Sequence, residues 1–245
     1  MQKPLAVAGA DQGDDRFLGR DWPGDWRFRR LGEMLAARPR HEPADFAALQ
    51  ADVVSLFAQE ALAALRAAPR PEGAGGAAYD LLAAWNGEME GPRPQPLIFH
   101  ATMGRFATAV LSRAGVPEDV RRASPEFLHR LLSNPERGRA WCGEAGCAPL
   151  LSAALTRAVA ELGPTHGPDP STWRWGSAHQ ARFEHPMLRY VPGLDSLTRI
   201  ATPSAGDGET VARAGLRDEL EGRFGNIHGA GFRGVFDLSD PAGAW

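Results

Sequence analysis

Apolar residues recur at three- and four-residue spacing through the first two thirds of the chain. Phe28, Leu31, Met34 and Leu35 fall on one face and predict a helix over about 26–37, which Pro39 ends. Glu42-Pro43-Ala44-Asp45 supplies the start of a second helix. Phe46, Leu49, Val53, Leu56, Phe57 and Leu62 carry its repeat to about Ala67. The Pro/Gly-rich stretch 69–76 reads as a connector, and 87–96 as turn-rich. Further helices are predicted over 77–85, 97–114, 125–132 and 149–162, the last with Leu150, Leu151, Ala154, Leu155 and Ala158 on its face. After Gly163 the helical period fades and Gly, Pro, His and Trp rise. Phe232, Gly234, Phe236 and Leu238 alternate against Arg233, Val235 and Asp237, which makes 232–238 the best strand candidate. The first fifteen residues have no period. The pattern therefore predicts one helix-dominated α+β segment over 1–245: irregular over 1–15, mainly helical over 16–162, mixed loop and strand over 163–245. Trp26 to Met34 extended in a sheet would contradict it.

Composition narrows this picture a little. At 245 residues the chain is long enough to bury a core. A net charge of -3 gives no footprint for nucleic acid or an anionic membrane. Lys3 is the only lysine among the basic residues; this Arg excess reads as coding bias and carries no functional weight. Met1 to Ala10 lacks the apolar core of a signal peptide, and no run of 18 apolar residues occurs, so no membrane span is predicted. Cys142 and Cys147 are five apart, a spacing open both to a disulfide and to two unlinked thiols near a helix start. Without a second pair it is a poor zinc pattern.

Residues 173–186 read W-R-W-G-S-A-H-Q-A-R-F-E-H-P, a density of Trp, Gly and His that composition alone rarely produces. Four other blocks stand out in order. They are F-L-G-R-D-W (17–22) with Trp26-Arg27 and R-L-G-E-M-L (30–35); H-E-P-A-D-F-A-A-L-Q-A-D-V-V-S (41–55); L-L-A-A-W-N-G-E-M (81–89); and G-D-G-E-T-V (206–211) with G-A-G-F-R-G-V-F-D-L-S-D-P (229–241). Together, over about 16–241, they resemble the penicillin acylase family of N-terminal nucleophile hydrolases, in the later part of its catalytic chain. Asn86 stands where the family usually has Asp. The resemblance implies part of the family's αββα fold, with most of the strands lying upstream of the part matched. It also implies hydrolysis of linear amides: penicillins, acyl-homoserine lactones or acylated lipopeptides. In the family a Ser freed by self-cleavage attacks the carbonyl while its own α-amine acts as base. A hydroxyl needs such a base in reach, and an α-amine titrates at roughly 7.7–8.0, near working pH.

The family's cleavage string, G-S-N-x-W, does not occur in these residues. Of the two Gly-to-nucleophile steps, Gly176-Ser177 lies inside the W-x-W-G block and reads as a loop serine, and Gly146-Cys147 as a core or loop thiol. No Asn precedes Asn86 to fill the family's oxyanion hole; Asp11 would repel the developing charge. Arg27 matches an Arg that lies near the family's nucleophile and orients the site, a task suited to a permanently charged fork of donors. Its alternative is an ordinary helix-start Arg beside Arg20, Arg29 and Arg30. His179 and His185 are six apart and read as structural, with His179 packed under Trp173 and Trp175; His228 reads as a turn or strand-entry residue. No cofactor is expected. Asp14 and Asp15 lie near where some relatives bind calcium, but that ion wants six to eight oxygens and the other ligands are not in this sequence. No G-x-S-x-G elbow occurs.

Three readings follow: a truncated acylase segment, inactive alone; a subunit completed by a separate nucleophile-bearing chain, acting on a small acyl amide; or a non-catalytic, vestigial binding module. With most sheet strands upstream, the free chain is expected to be marginal, to self-associate or to need that partner.

Overall fold

The computed structural model describes residues 23–216, 224–237, 239 and 240. Helices dominate. They are α1 (Trp26–Ala36), α2 (Pro43–Gln50), α3 (Leu56–Arg66), α4 (Gly73–Ala83), α5 (Gln95–Arg113), α6 (Pro125–Ser133), α7 (Pro135–Cys142), α8 (Ala148–His166) and the single turn α9 (Trp175–Ala178). The long α5 and α8 pack along each other, with α4 on α8, and α1 and α6 on α3. Leu97, Ile98, Phe99 and Phe106 of α5 meet Leu151 and Leu155 of α8 in a dry core that also takes in Leu62, Leu82 and Met89. Burying such side chains contributes roughly 1.5–3 kcal/mol each.

The helix predicted over 42–67 is two helices. Val53 and Val54 leave the helical path, Val54 forming an antiparallel bridge with Glu88. Met89 N–H donates to Val53 O at 2.9 Å and Ser55 N–H to Gly87 O at 3.0 Å. Ser55 then opens α3, its hydroxyl accepting from Ala58 N–H. α7 was not predicted from periodicity, because it buries only Gly138 and Cys142. Its signal is local: Asn134 caps it through Arg137 N–H at 3.0 Å, Pro135 fills the first turn, and Gly143, at φ 98°, ends it. α8 runs past Gly163 and Pro164 and stops at Gly167.

The strand prediction is overturned for its described part. Residues 232–237 pair with no strand, and Phe232 and Phe236 stay largely exposed, their rings 6.4 Å apart. Leu238 lies outside the described residues. The alternation is present in the sequence, but among the described residues the segment is tied to the helices by a bond from the Gln50 side chain to Gly234 O at 3.0 Å. The sheet forms from β1 (Gln180–Phe183), β2 (Ile200–Pro203), β3 (Ala214–Leu216) and β4 (Asn226–Gly229), in the order β2-β1-β4-β3. β1 is antiparallel to β2 and parallel to β4, and β3 pairs antiparallel with β4 through an irregularity at Gly215/Leu216. Phe183, Ile200 and Ile227 of this sheet, with Met187, Tyr190 and Leu197 from its β1–β2 connection, leave apolar surface open.

Cys142 and Cys147, left open by the sequence, form a disulfide joining the end of α7 to the start of α8, with Cα atoms 5.0 Å apart. Closing so short a loop is worth about 2 kcal/mol. The pair Cys142→Ser/Cys147→Ser should lower the denaturation free energy by that amount, and reductant should destabilise the unsubstituted chain equally. A reductant-insensitive unfolding curve would show the thiols unlinked.

Candidate functional site

Arg27 sits in the first turn of α1, half-buried, and its neighbours fix that turn. Trp26 is buried against Phe57, ring centroids 5.1 Å apart, and its indole N–H donates to Glu60 Oε2 at 2.7 Å. The same carboxylate takes Arg29 Nη2 at 2.7 Å and lies 3.1 Å from His129 Nε2 on α6. Glu126, also on α6, accepts Gly24 N–H at 2.6 Å. Arg30 grips Asp52 with two parallel bonds, Nε–Oδ1 at 3.0 Å and Nη2–Oδ2 at 2.7 Å. This fork-to-carboxylate geometry is a strong form of ion pair. Asp52 is the carboxylate of the D-V-V-S turn, so α1 is pinned to the bridge that splits α2 from α3.

Residues from three other motif blocks close on that bridge. Gly206 N–H donates to Met89 O and Ala212 N–H to Asp52 O, both at 2.8 Å. Gly176 N–H reaches Gly91 O at 2.8 Å, Trp175 N–H reaches Arg93 O at 2.9 Å, and the Trp175 indole donates to Gly206 O at 3.1 Å. Gly206 sits at φ 83°, and a Cβ there would lie 2.3 Å from Ala212 O, so only glycine fits. Asn86, exposed, accepts Glu88 N–H through Oδ1 at 3.2 Å. A carboxylate oxygen serves that turn equally well, which accounts for the exchange with Asp. Segments far apart in sequence thus form one junction.

His179 stacks on Trp175, centroids 4.3 Å apart, and Trp175 stacks in turn with His100 of α5 at 5.1 Å. His179 is fully buried, and its Nδ1 lies 2.5 Å from Phe224 O. A carbonyl only accepts, so Nδ1 carries the proton. Burial is the largest influence on this ring and lowers its pKa to about 4, against the raising effect of the Phe224 carbonyl. His179 is therefore a neutral core residue at neutral pH. His185 is exposed, its Nδ1 accepting Met187 N–H and Leu188 N–H, and His228 lies in β4. The two histidines of the W-x-W-G block do not share a site. Ser177 is exposed and donates to Arg174 O at 2.7 Å, closing a local turn. Cys147 is held in the disulfide.

Glu209 escaped the sequence reading. It lies in the 206–212 turn, its backbone N–H bonded to Asp207 Oδ1 at 2.7 Å. Burial, then Asp207 and Glu126, push its carboxyl up to about 7, and Arg27 and Arg213 pull less strongly in the other direction. Beside it, Asp207 is buried with Oδ2 unbonded, 3.4 Å from His100 Nε2: close enough for charge attraction, misaligned for a hydrogen bond. Asp11, Asp14 and Asp15 lie outside the described residues, as does the 17–22 block. Among the described residues no three His, Cys, Asp or Glu side chains are grouped to hold a metal ion.

A family model described as penicillin amidase matches residues 6–245. The penicillin acylase 2 proenzyme of Pseudomonas sp. (strain SE83) is 27% identical over 246 residues, an alignment that covers 91% of this chain. The chain spans 29% of that relative's length.

Proposed function

Because the chain belongs to the penicillin amidase family, we propose that it supplies part of the active-site scaffold of a hydrolase acting on linear amides, with penicillins, acyl-homoserine lactones or acylated lipopeptides as the substrate class. The family match across residues 6–245 carries this reading. The convergence of residues from the 41–55, 81–89, 173–186 and 206–211 blocks on one junction supports it. The nucleophile comes from a chain or segment outside these residues, since the sequence has no G-S-N-x-W string. That the matched relative is a proenzyme, and that the small sheet leaves apolar side chains open, both favour such a partner.

In this reading the attacking hydroxyl and its α-amine belong to the partner, and this chain contributes orientation. Arg27 is the group proposed for it, on the resemblance of the Trp26-Arg27 stretch to the family's. Trp26, Arg29 and Arg30 on either side are each tied down, so the turn that carries Arg27 has little freedom, and a guanidinium offers a planar fork of donors there. A donor held near the nucleophile would lower the barrier because it needs no reorganisation during reaction.

Alone, the 245-residue chain should not hydrolyse penicillin G, an acyl-homoserine lactone or a chromogenic acyl-anilide above background, because the covalent route lacks its nucleophile and base. Turnover by the chain alone that vanishes in Ser177→Ala would instead make Ser177 the nucleophile.

A further inference from the structure

The sheet has two edges, and they end differently. At β3, Ala214 is buried and its N–H donates to Asp207 O at 2.8 Å, so the 206–212 turn covers that edge. β2 has no such cover. All four of its residues are exposed, and α9 meets it beside Pro203. Ser204 N–H donates to His179 O at 2.8 Å. From that pair the antiparallel register runs on, with Gln180 opposite Pro203 and Phe183 opposite Ile200. Bonding alternates along such a register, so the N–H and C=O of Ala201 point away from β1. No further strand meets them among the described residues. None of the β2 residues is charged, and charge is a common guard on an open edge. Apolar surface lies beside the edge. Phe183 and Ile200 are 62% and 66% exposed. In the β1–β2 connection two short helical turns, Leu188–Tyr190 and Asp195–Thr198, pack chiefly on each other, and Met187 and Leu197 are exposed.

We propose that the free edge of β2 and the β1–β2 connection form the docking surface for the nucleophile-bearing chain: that chain lays a strand along Ala201 and covers Phe183, Ile200, Met187 and Leu197 with apolar side chains of its own. This rests on the proposed function for the partner's identity; the open edge stands on the structure alone. Strand addition suits such an edge, because main-chain bonds supply affinity and alternate side chains supply the fit. The partner has ample length to cover the surface. The alignment takes in 91% of this chain but 29% of the Pseudomonas proenzyme, so most of that protein has no counterpart in these residues. A second copy of this chain fits the edge less well. In a two-fold antiparallel pairing centred on Ala201, Arg199 of each copy lies opposite Pro203 of the other. Pro203 has no N–H, so a bond is lost at both ends, whereas a partner strand meets Pro203 once.

The test measures binding of the whole chain to a chain bearing the family's Gly-Ser-Asn junction, by sedimentation velocity over a concentration series. Ala201→Pro removes the outward N–H and leaves the bonds to β1 in place, a change that an edge strand tolerates. Ile200→Lys puts a charge on the open face. Each should raise Kd at least about tenfold while the melting temperature of the free chain holds. Val120→Lys, at an exposed apolar position between α5 and α6, should leave Kd unchanged. In hydrogen exchange the Ala201 amide should be unprotected in the free chain and at least about tenfold slower in the complex. A complex indifferent to both β2 variants, or an Ala201 amide no slower within it, overturns the surface and leaves the partner reading intact. No complex at all overturns both. Self-association of the free chain that Ala201→Pro disperses would assign the edge to a second copy and overturn the proposal. Hydrolysis is read separately: a pair that docks through Ala201 yet turns over no amide upholds the surface and sinks the amidase reading.

Discussion

Trp175→Ala should destabilise the chain by about 4 kcal/mol or more. The ring is fully buried between His100 and His179 and packs against Phe224. Emptying a site of that size costs roughly 3–5 kcal/mol. The loss is compounded because Gly206 O, which accepts the indole N–H, is left buried without its donor, at about 1 kcal/mol or more. At roughly 2–4 °C per kcal/mol for a chain of this size, the melting temperature should drop by about 10 °C. Trp141, partly exposed and in edge contact with Phe127, provides the contrast. Its replacement by Ala should cost only about 1 kcal/mol. Equal losses at the two positions would mean that Trp175 does not anchor the junction.

Much of that junction was legible in the sequence. The W-R-W-G-S-A-H string stands out because it is improbable, and from the sequence its His179 reads as structural and its Ser177 as a loop serine. These residues are packing: Trp173, Trp175 and His179 are buried, and Gly176 sits in a close approach where a Cβ would lie 3.0 Å from the Pro203 side chain. The helices over 26–36 and 95–113 were legible from apolar spacing. The break at 51–55 was not, because its cause is the distant Glu88 strand partner. Ser55, the capping residue, was the only local clue. The sheet defeated the alternation rule for a related reason. Its strands are three or four residues long, and every β2 residue is exposed, so no buried face imprints a period of two. Glu209 was invisible because a carboxylate in a G-D-G-E-T-V turn reads as solvated. In the folded chain it is half-buried beside Asp207, and desolvation is the main influence raising its carboxyl to about 7.

Arg27→Ala should lower kcat by about 10²-fold in the complete enzyme while leaving the fold intact. Unlike Arg29 and Arg30, Arg27 has no ion pair among the described residues that would be broken; its recorded charge interaction is with Glu209. Deleting it should therefore change the melting temperature little. Arg27→Lys keeps the charge but loses the planar fork, and should recover part of the rate. Arg30→Ala should behave in the opposite way, with a clear stability loss from the unpaired Asp52. A full-rate Arg27→Ala enzyme would reduce Arg27 to an ordinary helix-start residue.

The most direct test is acyl-anilide hydrolysis by the chain co-expressed with a chain that bears the family's Gly-Ser-Asn junction, measured beside each chain alone. The account predicts a stable complex, turnover only in the pair, and loss of about 10²-fold of it in Arg27→Ala. Turnover by this chain alone, or a stable complex that stays inactive, would contradict it.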